Sequence, residues 1–355
     1  MIDLRRSRTK LHEIHVIDSD PGAFWIRDTA VVIDAPPDSD VNPLPEAQWN
    51  PDLPRSGICG AVGPRVLLLP DGSYRIYYSQ MLPRPGFPAG ANDYANCTTR
   101  ILSARSDDGT HWIPEPGVRL SSEQGGAEDF RVVSSEVVPR PDGRGFRMYY
   151  EGWIGVQSET NSIRSAVSDD GLEWAVEEGA RLQQSGFNYS APRILFLPDG
   201  RCRLYVLERD HEGRGLGIVS AVSEDGGLTF RREPGTRIPQ DRPYDSLVAF
   251  ACEIFSPQNS GYVMYYAGYS QPNRSFILRA TSEDALHWVK DAAPVVAPET
   301  GRWDRAKASE MCLFPLPAKP DRSTQYRMVY EACDGTAVSE RGVWRIVSVT
   351  SDVRV

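Results

Sequence analysis

One short segment recurs along this chain and constrains its fold more than any other feature. It reads Ser-Asp-Asp-Gly-Thr-His-Trp at 106–112, Ser-Asp-Asp-Gly-Leu-Glu-Trp at 168–174, Ser-Glu-Asp-Gly-Gly-Leu-Thr-Phe at 223–230 and Ser-Glu-Asp-Ala-Leu-His-Trp at 282–288. The copies begin 62, 55 and 59 residues apart, a period typical of repeat architectures. An Asp-Gly pair supplies the positive φ of a tight hairpin, and the aromatic residue opens the next strand. We interpret this segment, called the box below, as a structural turn between two strands.

Each box belongs to a longer repeat of four predicted strands. An inner strand such as 65–69 leads to a Pro-Asp-Gly turn and a tyrosine-rich second strand such as 74–78, and a third strand then runs into the box. The fourth strand starts at the aromatic residue of the box, and short turns make each repeat an antiparallel meander. The predicted repeats span approximately 61–120, 130–182, 188–238, 245–297 and 303–355.

The two ends of the chain complement each other. Residues 19–25 form a degenerate box, and residues 25–33 align with the fourth strand at 112–120. The chain ends on a third strand at 345–352 that has no fourth strand after it. The sequence therefore predicts an all-β fold, a five-bladed β-propeller of four-stranded antiparallel blades, as a single domain over 1–355. Residues 19–33 would close the last blade and remove its free edge.

Charge and composition exclude several classes of function. The net charge of −9 disfavours a nucleic-acid partner or an anionic membrane, and no apolar run approaches the roughly 20 residues of a membrane span. The six cysteines are scattered without a C-x-x-C pair, which predicts free thiols. Neither the spacing of a metal site nor a glycine-rich phosphate loop is present, so we expect no metal and no cofactor. Without an export signal, we expect a cytoplasmic monomer or small homo-oligomer with a small-molecule substrate.

The pattern P-D-G-x-Y-R-x-Y-Y followed by S-x-D-G-x-x-W resembles the five-bladed propellers of the arabinanase, β-xylosidase, invertase and levansucrase group of glycoside hydrolases. The third box is also similar to the Asp-box of sialidases, and the resemblance covers residues 19–352. It implies a propeller that acts on sugars through carboxylates, with a catalytic Asp or Glu one or two residues before the inner-strand proline. The matching positions are Val62 and Gly63, Val133 and Ser134, Ser190 and Ala191, Phe250 and Ala251, and Lys307 and Ala308. None is a carboxylate, so the catalytic residues that the resemblance implies have no counterpart at these positions.

A ring of charged residues is predicted on the inner strands. Counting back six residues from the aspartate of each Pro-Asp-Gly turn, or from its counterpart, gives Arg65, Glu136, Arg193 and Glu253, and aligning the Ser-Glu pair of the fifth repeat adds Glu310. Arginine and glutamate are rarely buried unpaired. The ring is therefore either a belt of ion pairs between blades or a channel floor. In the second interpretation the three glutamates are catalytic and the two arginines bind substrate.

Other candidates lie in the irregular connections on the face opposite the boxes, where sites on rigid scaffolds are usually built. The predicted substrate-binding residues there are Asp129, Glu151, Tyr189, His211 and Glu331. Glu151 and Glu331 end equivalent second strands, and His211 is either a general base or an ordinary loop histidine. Asp245 and Asp304 lie in such connections beside aromatic residues.

Three functions remain open from the sequence. The first is an enzyme with glycosidase-like acid–base chemistry on a sugar-like or polyhydroxylated substrate. The second is a non-hydrolytic lyase, isomerase or cyclase of small-molecule biosynthesis on the same scaffold, which would explain the missing catalytic carboxylates. The third is a binding propeller without chemistry.

Overall fold

The structure is a computed structural model that describes residues 11–84, 97–124, 131–154, 161–258, 260–317, 324–336 and 342–351. Strands dominate these ranges, beside short 3₁₀ helices at His12–His15 and Ser122–Gln124. The all-β class predicted from the sequence is therefore confirmed. Among the described residues, no helix is long and apolar enough to cross a membrane.

We group the strands into five successive antiparallel units, of which the last two are joined in one nine-stranded sheet by a parallel pairing of Ser275 with Lys307. Two short strands, β1 (Val16–Ile17) and β2 (Trp25–Arg27), precede them. Unit 1 contains β3 (Gly60–Leu68), β4 (Tyr74–Pro83), β5 (Cys97–Ser106) and β6 (Ile113–Pro114), with β7 (Leu120–Ser121) also paired to β5. Unit 2 contains β8 (Arg131–Pro139), β9 (Phe146–Trp153), β10 (Asn161–Ser168) and β11 (Ala175–Val176). Unit 3 contains β12 (Phe187–Phe196), β13 (Cys202–Asp210), β14 (Gly215–Ser223) and β15 (Arg231–Arg232).

Unit 4 contains β16 (Val248–Pro257), β17 (Tyr262–Gln271), β18 (Arg274–Ser282) and β19 (Val289–Lys290). Unit 5 contains β20 (Lys307–Pro315), β21 (Tyr326–Cys333) and β22 (Trp344–Ser351), and its fourth strand is β2 from the start of the chain. Trp25 pairs with Ser351 and Arg27 with Val349, and Ile33 makes a further bridge to Ile346. The N-terminal segment thus covers the edge of β22 that would otherwise be open.

The boxes are turns that join each unit to the one before it. In the first box, Ser106 Oγ accepts the Gly109 N–H at 2.9 Å and Asp108 Oδ1 accepts the Thr110 N–H at 2.7 Å, so the turn itself uses these polar groups. Tyrosines of the second strands donate their hydroxyls to box carbonyls of the next unit, as Tyr77 does to Gly171 at 3.0 Å. The boxes therefore hold neighbouring units together.

Every inner strand, the first long strand of its unit, contains a β-bulge near its start, where two residues face one on the second strand. The bulges lie between Val62 and Arg65, Val133 and Glu136, Ser190 and Arg193, Phe250 and Glu253, and Ala308 and Met311. In units 1 to 4 the first bulged residue has a left-handed backbone: Gly63 at φ 60°, Ser134 at 54°, Ala191 at 51° and Ala251 at 49°. Such a conformation in non-glycine residues is strained and often marks functional regions.

The five inner strands contact one another in sequence. β3 lies against β8, β8 against β12, β12 against β16 and β16 against β20, and β20 returns to β3. Apolar clusters fill the spaces between adjacent units, for example Tyr149 of unit 2 with Ile194 and Leu204 of unit 3. Because each inner strand begins on the same side, the five bulges meet around one central space.

Candidate active site

A cavity of about 440 Å³ opens where the inner strands begin. This size lies within the roughly 300–1,000 Å³ of small-molecule sites. Its charged lining residues are Glu151, Glu310, Glu331, Arg209 and Lys307, and its aromatic lining residues are Trp153, Phe250, Tyr269 and Trp344. The cavity is on the face opposite the boxes, and the location of a functional site on this face stays a prediction from the sequence.

The strand register changes the position assigned to Glu310. On β21, Val329 pairs with Ser348, just as Tyr149 of unit 2 pairs with Ser165, and each serine lies three residues before the last residue of its strand. The inner-strand residue opposite Tyr149 is Glu136, whereas the one opposite Val329 is Cys312. The prediction that Glu310 is the fifth member of the charged ring is therefore wrong.

Cys312 takes the fifth ring position instead, and its Sγ lies 3.6 Å from Arg65 Nη1. The physical reason is the bulge of unit 5, which falls one residue earlier on its strand than the bulges of the other units. The Ser-Glu pairs at 135–136 and 309–310 look alike in sequence but do not occupy equivalent positions.

Glu310 consequently corresponds to Gly63, Ser134, Ala191 and Ala251, one residue before the position of the inner-strand proline. The expectation that no carboxylate stands at such a place is thus corrected for unit 5. Because the equivalent residues of the other units are small, Glu310 is the one large side chain at this level.

Glu310 lies on the floor of the cavity with 4% of its surface exposed. Its Oε1 is 3.1 Å from Arg193 Nη2, and its Oε2 accepts a hydrogen bond from Ser134 Oγ at 3.0 Å. A Cβ added to Gly63 would lie 3.5 Å from the same Oε2. The carboxylate from unit 5 is thus held by residues of units 2 and 3 across the central space.

Glu331 lines the cavity beside Glu310. Ser309 Oγ donates to its Oε1 at 2.6 Å, and the Gly63 N–H donates to its Oε2 at 3.1 Å. Burial raises the pKa of Glu331 to about 7, and the nearby charge of Glu310 adds to that rise, while the two hydrogen bonds and Lys307 oppose it. A carboxyl with a pKa near neutrality can both give and take a proton.

Glu151 is the equivalent of Glu331 in unit 2. Its Oε1 accepts hydrogen bonds from Asn161 Nδ2 at 2.8 Å and Ser190 Oγ at 3.0 Å, and its Oε2 accepts the Ala191 N–H at 3.3 Å. Burial raises the pKa of Glu151 to about 7 against the opposing charge of Arg209. The two equivalent glutamates therefore share burial, hydrogen bonding to the bulge of the next unit, and a titration range.

The corresponding residue of unit 1 is Ser79, which shows what the bulge requires. Ser79 Oγ accepts the Ser134 N–H at 3.3 Å, so a neutral hydroxyl is sufficient to bond the bulged amide. A buried carboxylate in the same place has to lose its hydration, which disfavours its charged form. The glutamates at 151 and 331 thus exceed what the bulges need.

The four remaining ring residues form buried ion pairs below the cavity and do not line it. Arg65 Nε lies 2.7 Å from Glu136 Oε2, and Arg65 Nη1 lies 2.6 Å from Glu253 Oε2. Arg193 Nε is 3.8 Å from the same Glu253 oxygen. Burial raises the pKa of Glu136 to about 7, although Arg65 and Arg193 lower it. The catalytic role of Glu136 and Glu253 and the substrate-binding role of Arg65 stay predictions, and this geometry favours the belt.

The other predicted binding residues are Asp129, Tyr189 and His211. Asp129 falls outside the described residues. Tyr189 is fully buried and donates its hydroxyl to Gln184 Oε1 at 3.3 Å, and His211 is exposed beside Glu212. Neither lines the cavity, so their binding roles stay predictions without support from its geometry.

Asp245 and Asp304 are also placed away from the cavity. Each is buried and accepts a tyrosine hydroxyl at 2.9 Å, from Tyr266 and Tyr330 respectively. Lys290 pairs with Asp245 at 2.6 Å and Arg27 with Asp304 at 2.9 Å, each cation coming from a fourth strand. These aspartates therefore tie the outer strands to the rest of their units.

The sequence reasoning missed the two cations and the aromatic walls. Lys307 Nζ lies 5.0 Å from the ring centre of Trp344 and 5.8 Å from that of Tyr269, and Arg209 Nη1 donates to Ser190 Oγ at 3.0 Å. Lys307 stands at the start of an inner strand and Arg209 near the end of a second strand, on the predicted site face. Their position on this face was the one sequence signal for Lys307 and Arg209, because lysine and arginine are common residues that do not by themselves indicate a site.

No group of three or more His, Cys, Asp and Glu side chains among the described residues could hold a metal ion. All six cysteines are free and buried.

No protein-family model matches the chain, and comparison with curated protein sequences found no match. Solved structures are similar in fold. A glycoside hydrolase matches with a TM-score of 0.67 at 15% identity over 93% of each chain. A thermostable family-43 glycoside hydrolase matches with a TM-score of 0.62 at 18% identity over 85% of this chain and 92% of its own. An N-acetylgalactosamine deacetylase from F. plautii, solved with blood group B trisaccharide, matches with a TM-score of 0.62 at 17% identity over 93% and 95%. The fold of this chain is thus that of the glycoside-hydrolase β-propellers.

Proposed function

We propose that the five units are the blades of one closed propeller domain over 1–355 and that the central cavity is the active site of an enzyme for a small, sugar-like substrate. The sequential contacts of the inner strands, with β20 returning to β3, support closure. The pairing of β2 with β22 supports completion of the last blade by the N-terminal segment.

The observation that carries the proposal is the pairing of two different carboxyl groups on one cavity wall. Glu310 faces Arg193 at 3.1 Å, which balances its negative charge, while Glu331 has a pKa of about 7. Two carboxyl groups whose environments differ in this way suit an acid and a base. We assign Glu310 as the carboxylate that acts as base or stabilises positive charge, and Glu331 as the proton donor.

Glu151 is a second candidate for the proton donor because it shares the environment of Glu331. Since Ser79 bonds a bulge without a charge, structure alone does not account for either glutamate. Functional sites are where burial is used to shift a pKa in this manner.

The walls of the cavity fit a polyhydroxylated ring. Phe250, Tyr269, Trp153 and Trp344 offer aromatic surface, and Lys307 and Arg209 add donors for hydroxyl or carboxylate oxygens. This combination of apolar faces with a few polar groups is usual for small-molecule pockets. The substrate expected from the sequence, a small sugar-like molecule, therefore fits the cavity.

Glycoside hydrolysis is the first candidate reaction, because the structural neighbours include glycoside hydrolases and Glu310 stands where the resemblance implies a catalytic carboxylate. Non-hydrolytic chemistry is the second, because only one of the five inner strands carries such a carboxylate. The deacetylase among the neighbours is named for a reaction other than glycoside cleavage. The cytoplasmic location stays a prediction from the sequence.

The test is a panel of 4-nitrophenyl glycosides and unmodified disaccharides, with release of nitrophenol and product sugars measured. We expect Glu310→Gln and Glu331→Ser to lose about 10²–10⁴ in rate, the range of acid–base catalysis. Serine is the residue that unit 1 uses at this position, so it should keep the bond to the bulge. Glu283→Gln, at an exposed box position, is the matched control.

Three outcomes separate the candidates. Turnover lost in both site variants but not in the control supports the assignment. Sugar binding without turnover in the wild type would favour a binding propeller. Turnover unchanged in both site variants would reject the acid–base pair.

A further inference from the structure

Glu310 and Arg193 meet although they come from units that are not adjacent. Glu310 starts from β20 in unit 5 and Arg193 from β12 in unit 3, and their side chains are 5% and 3% exposed. The contact of Arg193 Nη2 with Glu310 Oε1 at 3.1 Å therefore spans the central space. Arg193 Nη1 also donates to the Pro192 carbonyl at 2.7 Å, which fixes the guanidinium on its own strand.

The ring below determines which carboxylate Arg193 serves. Glu253 Oε2 lies 2.6 Å from Arg65 Nη1 but 3.8 Å from Arg193 Nε. Glu253 is therefore paired more closely with Arg65 than with Arg193, and Arg65 Nε also lies 2.7 Å from Glu136 Oε2. Arg193 is therefore available to pair with Glu310.

Three other charged groups face Glu310 or its neighbours from the surrounding elements. Glu331 on β21 and Glu151 on β9 both sense the charge of Glu310, and Lys307 on β20 lies near Glu331. Two nearby carboxyl groups disfavour the charged form of a third, and a cation in contact favours it. Arg193 supplies a cation in direct contact with Glu310.

We propose that Arg193 is a positioning residue that holds Glu310 at the floor of the cavity and places a positive charge against it beside Glu331, and that the ring of ion pairs supports this role. The inference rests on the proposed function of Glu310. The charged ring then has both roles that the sequence left open, because its ion pairs join the units and also hold Arg193 against the site residue Glu310. Arg193 acts through Glu310 and has no contact of its own with the substrate.

The experiment needs no substrate. The full chain is labelled with glutamate carrying ¹³C at the side-chain carboxyl carbon, and the Glu310 signal is identified by its loss in Glu310→Gln. Its chemical shift is then followed against pH in the wild type, Arg193→Gln, Arg193→Lys and Glu253→Gln. We expect the titration midpoint of Glu310 to rise by about 1–3 pH units in Arg193→Gln, the usual effect of an adjacent opposite charge.

Arg193→Lys should restore part of the midpoint, because it keeps the charge but loses the second bond, from Arg193 Nη1 to the Pro192 carbonyl. Glu253→Gln should lower the midpoint, because it removes a nearby negative charge and frees more of Arg193. An unchanged midpoint in both Arg193→Gln and Glu253→Gln would overturn the proposal. If Arg193→Gln does not fold, Arg193→Lys decides: a midpoint raised above that of the wild type supports the proposal, and an unchanged midpoint overturns it.

Measuring turnover in the same variants distinguishes the positioning role of Arg193 from the catalytic role of Glu310. If Glu310→Gln keeps full turnover while the midpoints move as expected, the assignment of Glu310 as a catalytic residue fails and the electrostatic link stands. If Glu310→Gln abolishes turnover and the midpoints do not move, the catalytic assignment stands and Arg193 has no positioning role. Rescue of turnover in Arg193→Lys relative to Arg193→Gln would support both.

Discussion

Glu331→Gln should make the protein more stable at alkaline pH while it removes activity. In the folded chain the pKa of Glu331 is raised from the ordinary 4.5 to about 7 by burial and by Glu310. A raised pKa means that the native state binds the proton more tightly than the unfolded state, so this group favours folding below about pH 4.5. That contribution is lost as the pH rises towards 7. The rise in the pKa from 4.5 to about 7 corresponds to about 3 kcal/mol of folding stability, at about 1.4 kcal/mol for each pH unit.

Glutamine is neutral at every pH and escapes this loss. Unfolding entropy of about 2.1 cal/mol/K per residue gives about 0.7 kcal/mol/K for 355 residues, so about 3 kcal/mol corresponds to about 4 °C in Tm. We expect equal Tm values for Glu331→Gln and the wild type near pH 4.5, and a variant that melts about 4 °C higher at pH 8. Differential scanning calorimetry across this range measures the difference, with Glu283→Gln as control.

The reasoning would be refuted by a variant that is less stable than the wild type by the same amount at every pH. That result would mean that the hydrogen bonds from Ser309 and Gly63 need a charged acceptor and that Glu331 is structural. A functional carboxyl buried away from water is expected to cost stability, and its replacement by a neutral residue is expected to restore it.

Three further changes test the framework around the site. Glu253→Gln leaves Arg65 short of one partner and should lower stability by about 3–5 kcal/mol, measured by denaturant unfolding; an unchanged midpoint would argue against the belt. Deletion of residues 1–33 removes the strand paired with β22 and should cause aggregation or a large loss of Tm, whereas a Tm within a degree or two would contradict blade sharing. Trp174 packs edge-on against Tyr77 of the preceding unit at 6.0 Å, so Trp174→Ala should cost about 3 kcal/mol and leave activity per folded molecule intact. Full stability with lost activity would place the site on the box face.

The strand pattern was readable from the sequence because it depends on local chemistry. The Pro-Asp-Gly turns, the tyrosine-rich second strands and the boxes each have their own signature, and the all-β class that they predict is confirmed. The pairing of β2 with β22 was also predicted, since 25–33 repeats the pattern of the other fourth strands. Repetition made these long-range contacts visible in a single chain.

The site was less readable because it depends on register and on contacts across the ring. A shift of one residue in the bulge of unit 5 moves Glu310 from the ring to the cavity floor, and the two Ser-Glu pairs give no sign of it. The contact between Glu310 and Arg193 joins residues 117 positions apart. Glu331 and Glu151 were identified as candidates, but their shared bond to the bulge of the next unit appears only once the blades are assembled.

The reactivity of the six buried thiols can be used to measure local opening of the structure. Burial raises the pKa of the Cys312 thiol to about 12 and that of Cys202 to about 11, so the native chain should react very slowly with disulfide reagents near neutral pH. Labelling therefore requires an opening of the structure that exposes the thiol. Labelling followed by mass spectrometry would therefore rank the units by their opening free energy. The cysteines lie in or beside units 1, 3, 4 and 5, and Cys333 and Cys312 would show whether the blade shared by the two chain ends is the first to part.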